Sequence, residues 1–142
     1  MNRLNGTEEV TRFIFDDDHY SQPNKKDLSQ YRIKKNAVSP TLNSIGEYET
    51  SVMLTSKLSE TETLSLGNDY VAKKRGQALF AYLTFSNSLI EKNSLYVEND
   101  KNGHDRHCAI KGWPASKEDW MEKSDDLAKA ITADSNKIFK VL

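Results

Sequence analysis

Eight consecutive residues, Ala78-Leu79-Phe80-Ala81-Tyr82-Leu83-Thr84-Phe85, are apolar almost without a break. A run this short, rich in aromatic side chains, suits a strand in the interior of a sheet better than a helix, which needs more length. The rest of the chain must then supply its neighbours. Val10-Thr11-Arg12-Phe13-Ile14-Phe15 ends at an acidic run and reads as a strand. So do residues 50–55, 94–98 and 107–111, the last two joined by a polar turn over residues 99–103. Tyr31-Arg32-Ile33 is a shorter strand candidate within residues 25–46, which otherwise show little periodicity.

Helix signals are fewer. Ser59-Glu60-Thr61-Glu62 has the form of a capping box, in which the serine accepts from the third backbone N–H and the glutamate reaches back. Gly67-Asn68 is expected to stop that helix, with one or two further turns over residues 69–75 before Gly76. Residues 87–92 suit a turn or two. Ser116 opens the last helix, with Glu118 and Asp119 in its first turn. Trp120, Ser124, Leu127, Ala128 and Ile131 follow at spacings of four, three, one and three, which gives one apolar face. The tail from Asn136 prolongs this helix or docks through Ile138, Phe139, Val141 and Leu142, with the core as the expected destination. The pattern is an α+β single domain over residues 1–142, with residues 1–9 a flexible terminus. Its sheet is mixed or largely antiparallel, with helices packed on one side and an amphipathic C-terminal helix.

Composition narrows the function classes. A net charge of −1 with 29% charged and 37% hydrophobic residues is that of a water-exposed globular domain, not a general nucleic-acid coat. No apolar run is long enough to span a membrane, and the polar first residues lack a signal segment, so a cytoplasmic protein is expected. One cysteine makes neither an internal disulfide nor a cysteine-rich zinc site. No phosphate-loop or dinucleotide fingerprint is present, so no cofactor is expected.

The densest chemistry lies in residues 104–114, which hold His104, Arg106, His107, Cys108 and the Gly112-Trp113-Pro114 turn. His107 is a candidate general acid or base, and His19 a second imidazole. Arg32, Lys34 or Arg106 would be the cation beside a reacting phosphate. Lys25, Lys26, Arg32, Lys34 and Lys35 stand against Asp27 alone, which makes either a phosphate-binding patch or a solvated face. Asp16-Asp17-Asp18-His19 with His104 and His107 offers metal-ligand types but no recognised spacing, so no metal is expected. Cys108 reads as a small core residue and Trp113-Pro114 as a packed turn.

The run His107-Cys108-Ala109-Ile110-Lys111-Gly112-Trp113-Pro114 before a Lys- and Ala-rich helix resembles a group of small uncharacterised bacterial proteins. These carry a His-x-x-Ile-x-Gly-Trp-Pro run and a His-aromatic-Ser element near the N-terminus, here His19-Tyr20-Ser21. The resemblance implies a bacterial origin and marks His19 and His107 as a pair, but that group has no assigned activity to transfer. A fainter likeness, in Leu54-Thr55-Ser56 before an acidic helix and after Tyr31-Arg32-Ile33, is to small ADP-ribosyltransferase toxins, whose Gly-Gly-Arg-Trp-type element is missing here.

Two functions follow as expectations. The first is an accessory protein that binds a protein partner, with a toxin–antitoxin or phage-defence type of locus as its setting. The second is a metal-independent ribonuclease or nucleotide-processing enzyme using His19 and His107, with Arg32 as the cation. Nucleic-acid binding through residues 25–35 is a third possibility.

Overall fold

A computed structural model provides the structure, which describes residues 3–22 and 31–142. Among these residues the strands are β1 (Glu9–Ile14), β2 (Tyr20–Ser21), β3 (Arg32–Ile33), β4 (Thr41–Leu42), β5 (Tyr48–Leu54), β6 (Ala81–Ser86), β7 (Tyr96–Glu98), β8 (His107–Lys111) and β9 (Ile138–Val141). The α-helices are α1 (Glu60–Ser65), α2 (Lys73–Arg75), α3 (Asn87–Lys92) and α4 (Lys117–Ala133). Six strands follow the order β7-β8-β5-β1-β6-β9, β4 adds to β5, and β2 with β3 forms a separate ribbon. Every pairing described is antiparallel. The α+β class expected from the sequence is what the chain adopts.

Strand alternation sends two sets of side chains to opposite faces. Val10 and Ile14 of β1, Val52 of β5, and Leu83 and Phe85 of β6 enter the main core with Ile90, Leu127 and Ile131. Leu127 and Ile131 are fully buried, and removing side chains of this kind from water is worth about 2 kcal/mol each. Phe13, Met53 and Tyr82 form a smaller cluster on the second face, under Leu66, Tyr70 and Val71. So α4 covers one face, and the helical run from α1 to α2 also caps the other.

Several local expectations are corrected. Gly67 does not end the first helix. The chain continues through a wider π-helical stretch, Leu66–Ala72, into α2, and the left-handed turn that ends it is at Gly76, with φ +66°. The terminus is docked over residues 3–9. Leu4 N–H donates to Val97 O at 3.0 Å, and Asn87 Nδ2 donates to the carbonyls of Leu4 and Asn5. The tail is an edge strand paired with β6, and of its apolar residues only Phe139 packs on the core. Ile138, Val141 and Leu142 are 46, 41 and 56% exposed. A side chain on an edge strand gains cover only from its one neighbour, which explains the difference.

The α4 N-cap and the Gly-Trp-Pro turn form as expected. Ser116 Oγ accepts from Asp119 N–H, while buried Trp113 donates Nε1–H to Ile110 O at 3.1 Å. No helix among the described residues is long and apolar enough to cross a membrane.

Candidate functional site

The ladder between β1 and β5 runs only over Val10–Leu54 and Thr11–Met53. Beyond it the strands no longer pair, and Arg12 occupies the opening. Its Nε donates to Ala37 O at 3.1 Å and its Nη1 to Ser51 O at 2.8 Å. Burial, and behind it the charge of Arg75, lowers the Arg12 pKa to about 10. Arg75 ends α2, with its guanidinium carbon 4.5 Å from the centre of the Phe15 ring. Arg12, Phe13, Phe15 and Arg75 line two adjoining cavities between α2 and the sheet, of about 180 and 220 Å³. Sharing these four residues, they form one cleft.

His107 lines the first cavity and His19 the second. His107 opens β8, where its ring meets Asp100 from the β7–β8 loop, with Nδ1 and Oδ1 2.6 Å apart. A carboxylate only accepts, so Nδ1 carries the proton and Nε2 is the nitrogen left for chemistry. Tyr70 holds that loop from the helical side: its hydroxyl donates to Gly103 O at 2.7 Å and its ring lies 4.6 Å from His104. The His104 Nδ1 accepts from Arg106 N–H, which uses that nitrogen locally.

His19 closes a 3-10 turn, Asp17–His19, that is capped by the Asp16 carboxylate. Its pKa lies below the ordinary 6.5, first through burial and then through Arg12 and Arg75, against an opposing pull from Asp16 and Asp18. Well above pH 6.5 both folded and unfolded chains hold the neutral ring, so the shift contributes nothing. As pH falls below 6.5 the unfolded chain binds the proton first, and stability declines until the folded ring protonates too. Urea midpoints measured across this range should therefore fall less for His19→Gln than for the wild type.

The other candidate residues lie elsewhere. The Arg32, Lys34 and Lys35 side chains line a separate groove against α4, so Arg32 is not the cation beside the histidines. Arg106 Nη1 is held by Leu54 O at 3.0 Å. Lys25 and Lys26 lie outside the described residues. The carboxylates of Asp16, Asp17 and Asp18 come within 4.8 Å of one another and are all exposed. Cys108 is fully buried and its thiol is pushed up to about 12, chiefly by burial, which leaves almost no thiolate to act as a nucleophile.

Arg12 and Arg75 do not stand out in the sequence as site residues. A charged residue inside the apolar run from Val10 to Phe15 was the available signal for Arg12. Arg75 was hidden in the Lys73-Lys74-Arg75 run, which reads as the basic end of a helix. Comparison of the chain with protein-family models, with curated proteins and with solved structures finds no match.

Proposed function

We propose that the protein binds a phosphate-bearing ligand, a nucleotide or an RNA phosphodiester, in this cleft, with His107 and His19 as its acid–base groups. One observation carries the reading. Arg12 and Arg75 line both cavities of the cleft, yet among the described residues neither is in an ion pair. Two guanidiniums on one cleft, with the exposed Asp16 as the one carboxylate among the described residues of its wall, leave positive charge that an anion relieves. The Arg75 fork fits phosphate, Arg12 Nε and Nη1 being already given to backbone carbonyls. His107, oriented by Asp100, supplies a base of fixed tautomer, and His19, on the other side of the arginines, is the acid when its ring carries the proton that goes to the leaving oxygen. Acid–base cleavage of a phosphodiester needs two such groups and no metal.

Calorimetric titration with pyrophosphate and with a nucleoside monophosphate tests the binding. Arg75→Ala should weaken it at least about tenfold, the scale of one lost charge-assisted bond. Arg75 is exposed and touches the Phe15 ring and Gln77 Oε1 at 3.4 Å, so the variant should keep its fold. A wild-type protein that binds neither compound at millimolar concentration contradicts the reading. Turnover of RNA or nucleotide that is lost in His107→Ala would support the acid–base part.

A specific observation favours the accessory-protein reading as well. Ile138, Val141 and Leu142 lie exposed on or just after β9, which among the described residues has no strand on its outer side, so a partner strand can add there. Binding of phosphate compounds without any turnover would favour a ligand-sensing accessory protein over an enzyme.

A further inference from the structure

A second basic surface lies on the α4 side of the molecule. The groove between β3 and α4 encloses about 1270 Å³ and is lined by Arg32, Lys34, Lys35 and Lys129, with Glu122 and Asp125 as its carboxylates. Asp125 is already taken by Lys129, at 2.8 Å. That hydrogen bond, and behind it the charges of Lys35 and Arg32, holds the Asp125 carboxyl below its ordinary value. Lys137, also on the groove wall, donates to the carbonyls of Thr132 and Asp134 at the end of α4. Arg32, Lys34 and Lys35 are thus left without an ion pair among the described residues. Arg32 and Lys34 are exposed and two apart along an extended segment, so they project to the same side.

Aromatic rings share this wall. Tyr31 and Phe139 line the groove, 5.1 Å apart and edge to face, with Tyr20 packed against both. Cations in a row beside aromatic rings are what an unpaired nucleic-acid strand uses, phosphates on the cations and bases on the rings.

The groove also leads to the cleft. His19 ends the turn before β2 and lines the cleft, whereas Ser21, two residues on, lines the groove. Across the ribbon, Lys34 N–H donates to His19 O at 3.0 Å, while the Lys34 side chain lines the groove. The two-residue ribbon of β2 and β3 is the boundary between the two surfaces.

We propose that this groove binds a single-stranded polynucleotide whose phosphodiester reaches the Arg12–Arg75 cleft around the β2–β3 ribbon. The destination of the strand rests on the phosphate reading of the cleft, but the groove uses different side chains.

The test is fluorescence anisotropy with labelled oligouridine and oligodeoxythymidine, at several salt concentrations. The three groove cations alone contribute about −2 to the slope of log affinity against log salt, and a phosphodiester in the cleft steepens it further. The double variant Arg32→Glu/Lys34→Glu should bind at least about tenfold more weakly with a shallower slope. Lys92→Glu, an exposed lysine on α3, should bind like the wild type. Tighter binding of oligouridine than of oligodeoxythymidine assigns the strand as RNA, and equal binding assigns either strand. The proposal is overturned if wild-type protein binds neither oligonucleotide, if the double variant binds as well as wild type, or if polyglutamate binds as tightly. Pyrophosphate titration of the same proteins separates the two readings. Pyrophosphate binding without oligonucleotide binding removes the groove alone, and loss of both removes the cleft with it.

Discussion

Gly67→Ala is expected to destabilise the protein by about 2 kcal/mol, the scale of overpacking by one methyl group. Helix propensity by itself gives the opposite sign at this helix-interior position, because alanine there is favoured over glycine by about 1 kcal/mol. The structure reverses this through one contact. A Cβ on Gly67 would lie 2.5 Å from Phe13 Cε1, 2.7 Å from Cδ1 and 3.0 Å from Leu79 Cδ2. Phe13 is buried between β1 and the π-helical stretch and stacks on Tyr82, so its ring has little room to withdraw. Urea unfolding of Gly67→Ala measures the effect. In a Phe13→Leu background the penalty should shrink, because the clashing ring is gone. A Gly67→Ala protein more stable than wild type would mean that the helical run is not packed on β1 as described.

Arg12→Ala should both destabilise the fold and abolish the phosphate binding proposed for the cleft. The guanidinium satisfies Ala37 O and Ser51 O where β1 and β5 part, and its removal leaves both carbonyls without that donor. Two lost charged hydrogen bonds cost more than relief from Arg75 returns, for a net of about 2 kcal/mol. Arg12→Lys keeps the charge but cannot reproduce the fork, so it should recover only part of either property. Thermal unfolding and pyrophosphate titration of both variants separate the two roles. Unchanged stability in Arg12→Ala would show that the opening closes without its arginine.

The strands that were legible in the sequence are those whose burial leaves a pattern. The run from Ala78 to Phe85 covers all of β6 but Ser86, a strand paired on both sides by β1 and β9, and β8 spans His107–Lys111 as read. The Ser59 capping box and the Ser116 cap were legible because each is a local exchange of hydrogen bonds. β2 and β4 were not. Two-residue strands have no periodicity, and each exists because a partner lies alongside it. β9 was missed because its apolar residues sit on an edge, and Gly67 because the reason for it, Phe13, is 54 positions away in the chain. The site divides in the same way. His19 and His107 stood out by residue type, whereas Arg12 and Arg75 acquire meaning only from the parting of β1 and β5 and the placement of α2.

The most direct test of the cleft is an NMR titration of the His19 and His107 ring signals with pyrophosphate. Both rings should respond, both should saturate with one dissociation constant, and both responses should disappear in Arg75→Ala. Rings that stay still, or that follow two unrelated affinities, would contradict a single phosphate site between them.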